Sequence, residues 1–153
     1  EAVKVNSDDN ANETVFNMVN GILGLLYLSG HIEFADEENT KLINEAVTIY
    51  KENREFVASA YPIYPCGRFG IEKNGFYAYG LTNKDKSKIL LGVWRINSSE
   101  NVQIFDLSRY IDSSSARLVY PQNFDTAYSY SNGKLSVKLE DAYSARLFEI
   151  TKL

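Results

Sequence analysis

A single cysteine, Cys66, a single histidine, His31, and a single tryptophan, Trp94, stand among 153 residues. One thiol excludes any intrachain disulfide, and one His with one Cys cannot assemble a zinc ligand set at a standard spacing. Neither sign of charge dominates: sixteen basic against twenty acidic residues give a net charge of -4, with no basic footprint for nucleic acid or anionic membranes. Long hydrophobic runs are also lacking. The longest apolar stretches are broken by Asn17, Asn20 and several glycines, and are too short to span a bilayer. The glycines of "GRFGIEKNG" lack the Lys-Ser/Thr that a phosphate-cradling loop requires, so neither a cofactor nor a metal is implied. The chain opens at Glu1 without a signal-peptide pattern, which reads as a leader removed or a piece of a longer protein.

What the chain has in quantity is aromatics, eleven Tyr and eight Phe, and the residues divide near 61–67. The first sixty read helix, strand, helix. Asn10 with Glu13 three residues on is a capping box, with Asn12 an alternative cap, for a helix over 14–23. Its Val15, Phe16, Met18, Val19, Ile22 and Leu23 cover most of the circumference, so it must be enclosed on several sides. Gly21 and Gly24 weaken its continuation, and "LLYLS" (25–29) reads as a short buried strand of the parallel-sheet kind. Asp36 caps a second helix over 36–57. Leu42, Ile43, Ala46, Val47, Tyr50 and Val57 form its apolar stripe. One parallel strand makes no sheet, so this stretch reads as the end of an α/β domain whose other strands lie elsewhere.

"YPIYPCGRFG" (61–70) reads as a linker. Seven short strands follow, over 76–81, 88–96, 102–107, 116–121, 127–131, 134–139 and 145–151. Asn74-Gly75 and Asn132-Gly133 are two-residue hairpin signals, and the whole predicts an antiparallel β-sandwich or small barrel.

No motif for catalysis stands out. Ser29, His31 and Asp36 are too near in sequence for triad geometry, and no nucleophile elbow surrounds the serine. Asp8, Asp9, Asp36, Glu37 and Glu38 lie at helix starts, where capping accounts for them. Asp106, Asp112, Asp125 and Asp141 lie at strand ends or turns, their usual place. Trp94-Arg95 reads as a core tryptophan beside a surface arginine, and Arg146 as a salt-bridged residue on a wet face. Tyr77, Tyr79, Tyr128 and Tyr130 can be strand packing or an exposed sugar-binding face.

The motifs "FNMVN" (16–20), "LSGHI" (28–32), "YKENR" (50–54), "YPIYPCG" (61–67), "YGL" (79–81), "VWRI" (93–96), "YP" (120–121) and "SARLF" (144–148) occur in an order that spans nearly the whole chain. Together they resemble the C-terminal part of melibiase-type α-galactosidases, glycoside hydrolase family 36. The resemblance implies an α+β fragment: residues 1–60 as the terminal helix-strand-helix of a (β/α)8 catalytic barrel, and 61–153 as a C-terminal antiparallel β-sandwich domain. It further implies a retaining hydrolase whose two catalytic aspartates lie on earlier barrel strands, so that the fragment has no catalytic residue of its own. Ser29, Gly30 and His31 would rim the sugar pocket at the end of the last strand, with Gly30 letting backbone approach the ligand. The partner expected is a galactoside or oligosaccharide substrate in the parent enzyme. Self-association through an exposed N-terminal helix is the second expectation. The alternative is a non-catalytic carbohydrate-binding or protein-interaction β-sandwich.

Overall fold

A computed structural model of the protein describes residues 2–67, 75–111 and 114–153. The chain runs β1 (Ala2–Val5), α1 (Ala11–Ile22), β2 (Tyr27–Gly30), a 3-10 turn (Ile32–Phe34) and α2 (Glu37–Ser59). It continues through β3 (Tyr61–Ile63), β4 (Phe76–Thr82), β5 (Lys88–Arg95), β6 (Val102–Asp106), β7 (Ser114–Tyr120), β8 (Tyr128–Ser131), β9 (Lys134–Lys138) and β10 (Ser144–Lys152). All seven strands expected in the second part form, and so do both helices.

Five strands make an antiparallel sheet in the order β3-β4-β5-β10-β7, and three make another, β6-β9-β8. The five-stranded sheet is covered on both faces, and the period-two alternation of β5 shows how. Ile89, Leu91 and Val93 pack with Phe105, Leu135 and Val137 of the small sheet. Leu90 and Trp94 face the other way, into a core with Val15, Met18 and Val19 of α1 and Leu42, Ile43 and Ala46 of α2. The result is three layers: helices, large sheet, small sheet. Gly92 allows the close fit, because a Cβ there would lie 2.3 Å from the Trp94 ring and 2.7 Å from Leu23.

Several local expectations hold in atomic detail. Asn10 accepts from the Glu13 backbone N–H while the Glu13 carboxylate accepts from that of Asn10, so α1 carries the full capping box. The Asp36 carboxylate accepts from the Asn39 N–H at the start of α2. Asn132 and Gly133 turn β8 into β9 with φ of 51° and 73°, as a two-residue hairpin demands. The Asn74-Gly75 signal and Asp112 fall partly or wholly outside the described residues.

Four expectations are corrected. First, α1 is not left open. Its Val15, Met18, Val19 and Ile22 are fully buried, because the large sheet and α2 enclose its apolar faces. What α1 leaves exposed is polar, Glu13 and Asn20. Second, the strand after it lies at Tyr27–Gly30 and is largely open: Leu25 is 72% and Tyr27 66% exposed. Third, the stretch read as a linker begins with β3, whose Pro62 sits in an edge strand where the missing N–H is harmless. Fourth, Arg95 and Arg146 are buried, at 9% and 7% exposure. Arg95 spends its guanidinium on the carbonyls of Leu139, Glu140 and Ser98 at 2.6–2.9 Å.

Candidate functional site

β1 was not legible as a strand, and it changes the first sixty residues. It pairs in parallel with β2, Val3 opposite Leu28, Lys4 opposite Ser29 and Val5 opposite Gly30. With α1 between them and α2 after, the unit reads β-α-β-α. Side chains alternate across the pair. Val3, Val5 and Leu28 join the helix core, whereas Lys4, Tyr27 and Ser29 belong to the opposite face, where Lys4 and Tyr27 are exposed. Lys4 thus shares a register position and a face with Ser29. The only sequence signal for it was the short alternation of "AVKV" ahead of a polar loop.

The carboxyl ends of both strands point to one edge, where the following loops are tied together. Asp9 accepts from the Asn6 backbone and side-chain amides at 2.9 Å each, which folds the loop after β1. Asn39, nearly buried in the first turn of α2, donates to the Asp9 carbonyl at 2.8 Å and so bolts the second loop to the first. Ser7 and Asp8 stand exposed beside this clamp.

The three expected site residues are together at this edge by chain continuity, in differing roles. Ser29 is half-buried. Gly30 has φ +95°, and a Cβ there would come within 2.2 Å of the Val5 carbonyl oxygen. The close approach that requires glycine is therefore to the neighbouring strand. The His31 N–H then donates to that same Val5 oxygen at 3.0 Å, extending the parallel ladder by one bond. The His31 ring is exposed, with Nδ1 3.5 Å from Glu33 Oε1 and its face tilted against Phe34 at 5.9 Å between centroids. Asp36 is occupied in capping α2, so no Ser29–His31–Asp36 relay forms. Among the described residues no three His, Cys, Asp or Glu side chains gather to hold a metal ion, and no helix is long and apolar enough to cross a membrane. Ser29, His31 and Lys4 can hydrogen-bond hydroxyl groups presented at the strand ends.

The tyrosines do not make an open sugar platform. Tyr77 and Tyr79 pack toward the helix core, Tyr77 against Trp94 at 6.0 Å and Tyr79 against Tyr64 at 5.5 Å. Tyr130 packs on the sandwich core, and Tyr128 lies edge-on to Phe148 at 5.1 Å.

No family model and no curated protein matches the sequence. Solved structures are similar in fold. The galactosidase domain of the α-galactosidase-sucrose kinase AgaSK matches with a TM-score of 0.69 and 14% identity, covering 90% of this chain and 19% of that one. The GH36 α-galactosidase AgaA from Geobacillus stearothermophilus matches with a TM-score of 0.67, 12% identity and the same two coverages. An α-amylase from Geobacillus thermoleovorans, complexed with acarbose, matches with a TM-score of 0.64 and 12% identity over 94% of this chain and 34% of that one. The protein spans about a fifth of the length of the α-galactosidases it matches, and carries the fold of that piece of a GH36 enzyme.

Proposed function

We propose that the protein is the C-terminal part of a retaining α-galactosidase-like glycoside hydrolase that cleaves terminal α-galactosyl residues. In this reading residues 1–60 are the last two β/α units of a (β/α)8 barrel and 61–153 are the β-sandwich domain that follows. One observation carries it. β1 and β2 are a parallel pair with helices on one face and an open face bearing Lys4, Tyr27 and Ser29, which is how barrel strands divide their side chains between the helix ring and the interior. A parallel pair buried on one side only is not a stable arrangement for a whole domain. The exposed Leu25, Tyr27 and Phe34, at 72%, 66% and 66%, are the contacts that further strands would cover. A cavity of about 480 Å³ along the outer flank of β1 and α1, lined by Lys4, Asn17, Gly21 and Leu25, is where a preceding β/α unit would pack.

In a retaining hydrolase one carboxylate attacks the anomeric carbon and a second protonates the leaving oxygen, then activates water. This chain supplies neither. Its part is to close the barrel and to present Ser29, His31 and Lys4 at the strand ends, where they hydrogen-bond sugar hydroxyls and set the position of the ring against carboxylates on other strands. Variants of AgaA have been solved with raffinose and stachyose, which supports an α-galactoside as the substrate class. Tyr77, Tyr79 and Tyr130 are half-buried against the two cores, which counts against a sandwich that binds sugar through its sheet face.

The test compares the 153-residue chain with the product of the full reading frame that encodes it, using a nitrophenyl α-galactoside. The expected result is no hydrolysis by the chain and hydrolysis by the longer product, with Ser29→Ala and His31→Ala raising KM about tenfold, the worth of one lost hydrogen bond to substrate. Hydrolysis by the chain alone, or a full-length product without further β/α units, overturns the reading.

A further inference from the structure

A cavity of about 570 Å³ opens between the first turns of α1 and α2 and the end of the sandwich. Small-molecule sites commonly fall at about 300–1,000 Å³. It shares no residue with the strand-end site. Its floor is Arg146, only 7% exposed. Nε donates to Thr126 Oγ1 and Nη1 to the Ala145 carbonyl, both at 2.7 Å, and the guanidinium carbon lies 4.9 Å from the Phe124 ring centroid. Nη2 makes no hydrogen bond among the described residues, and no carboxylate there forms an ion pair with the group. No Arg146 atom is both fully buried and unpaired among the described residues, so Nη2 opens onto the cavity, where it is held in place to donate to a ligand acceptor.

The charge around it selects the ligand. Glu38, Asp125, Glu140 and Asp141 line the same space, against Lys138 and Arg146, and Lys138 is already paired with Glu140. The surplus is acidic, which repels an anion. The carboxylates do not converge as a metal site does among the described residues. Asn12 already donates to the Asp141 carboxylate at 3.0 Å, so what remains is donors (Arg146, Asn123), an acceptor (Asp125) and one aromatic ring, Phe124. A hydroxyl group both donates and accepts, so a neutral polyol satisfies both sets at once. A second depression of about 390 Å³ shares Glu38, Asn123 and Phe124 with the first, so the groove continues past one ring.

We propose that this groove is a saccharide-binding site, in which Arg146 Nη2 donates to a sugar hydroxyl, Asp125 accepts from a neighbouring one and Phe124 underlies the apolar face of the ring. It goes beyond the barrel reading and does not depend on it. The measurement is an amide and guanidinium NMR titration of the 15N-labelled protein with raffinose and with galactose, acetate serving as the anionic control. Saturable shifts at the Arg146 Nε–H and at the Asn123 side-chain amide are expected with the sugars and not with acetate. Asp125→Asn and Asn123→Ala, both on the exposed rim, should keep the folded spectrum and weaken binding about tenfold. Arg146→Lys, which keeps charge but not the fork, should weaken it further if it folds. Shifts with acetate rather than sugar, sugar shifts confined to residues 29–34, or no shifts at all would each overturn the proposal. An outcome confined to residues 29–34 would leave the barrel reading standing.

Discussion

Gly30 carries two explanations that a single substitution separates. The sequence places a glycine at the end of a parallel strand, and a ligand is the natural reason for it. The structure gives a nearer reason, the Val5 carbonyl at 2.2 Å from the absent Cβ together with φ of +95°. Gly30→Ala should therefore destabilise the isolated chain by about 1–3 kcal/mol in chemical denaturation, with no ligand present. A neutral effect would return the glycine to a ligand role. Glu149 makes a second prediction of this kind. Burial pushes its carboxyl upward, but Lys88 at 2.7 Å and Arg117 at 2.7 Å, with hydrogen bonds from both, outweigh that and hold it below the usual carboxylate range. A depressed folded-state pKa contributes stability that is present above the unfolded value and lost as pH falls through the folded one. Acid titration of stability should therefore lose part of its slope below about pH 4.5 in Glu149→Gln, the unfolded-state range for a glutamate. An unchanged slope would show that the pair contributes nothing. Neither partnership of Glu149 was readable from the chain, since Lys88 and Arg117 come from strands whose order no local pattern reveals.

At the scale of elements, what was legible is what local chemistry decides. The capping box of α1, the Asp36 cap of α2, the apolar stripe Leu42–Ile43–Ala46 and the Asn132-Gly133 hairpin each follow from neighbours in sequence. Two short strands escaped. β1 has four residues and β3 three, too few for period two to rise above chance, and Pro62 argued against the latter. The misjudgement of α1 is of a different kind. Its apolar circumference was read correctly as a demand for cover on several sides, but the cover comes from the large sheet and α2, which are far along the chain. Because the cover is internal, Met18→Ala should cost the isolated chain about 2–5 kcal/mol, as a fully buried side chain does, and Asn10→Ala about 1 kcal/mol through the lost cap. Thermal or urea unfolding reads both. A Met18→Ala chain as stable as the parent would mean that α1 is not docked, and the three-layer arrangement would fail with it.

Across the whole molecule, the same helices that settle firmly on the sandwich hold up a strand pair that settles on nothing beyond. β1 and β2 bury Val3 and Val5 at 6% and 0% on the helix side, while Leu25, Tyr27 and Phe34 gain no cover from the chain. Side chains already in water contribute little to folding, so replacing them separates the needs of this chain from those of a larger body. Leu25→Ser, Tyr27→Ser and Phe34→Ser combined should leave the unfolding free energy of the 153-residue chain within about 1.5 kcal/mol, since isolated surface substitutions each fall within about 0.5 kcal/mol. In a product extended by further β/α units, the same three changes would remove apolar surface that those units cover. At about 25 cal/mol per Å² of buried apolar area, the loss is large enough to read as a lowered melting temperature. Equal effects in the two contexts would mean that the open face stays open in the longer protein, and the barrel would have to be given up while the three-layer fold remained.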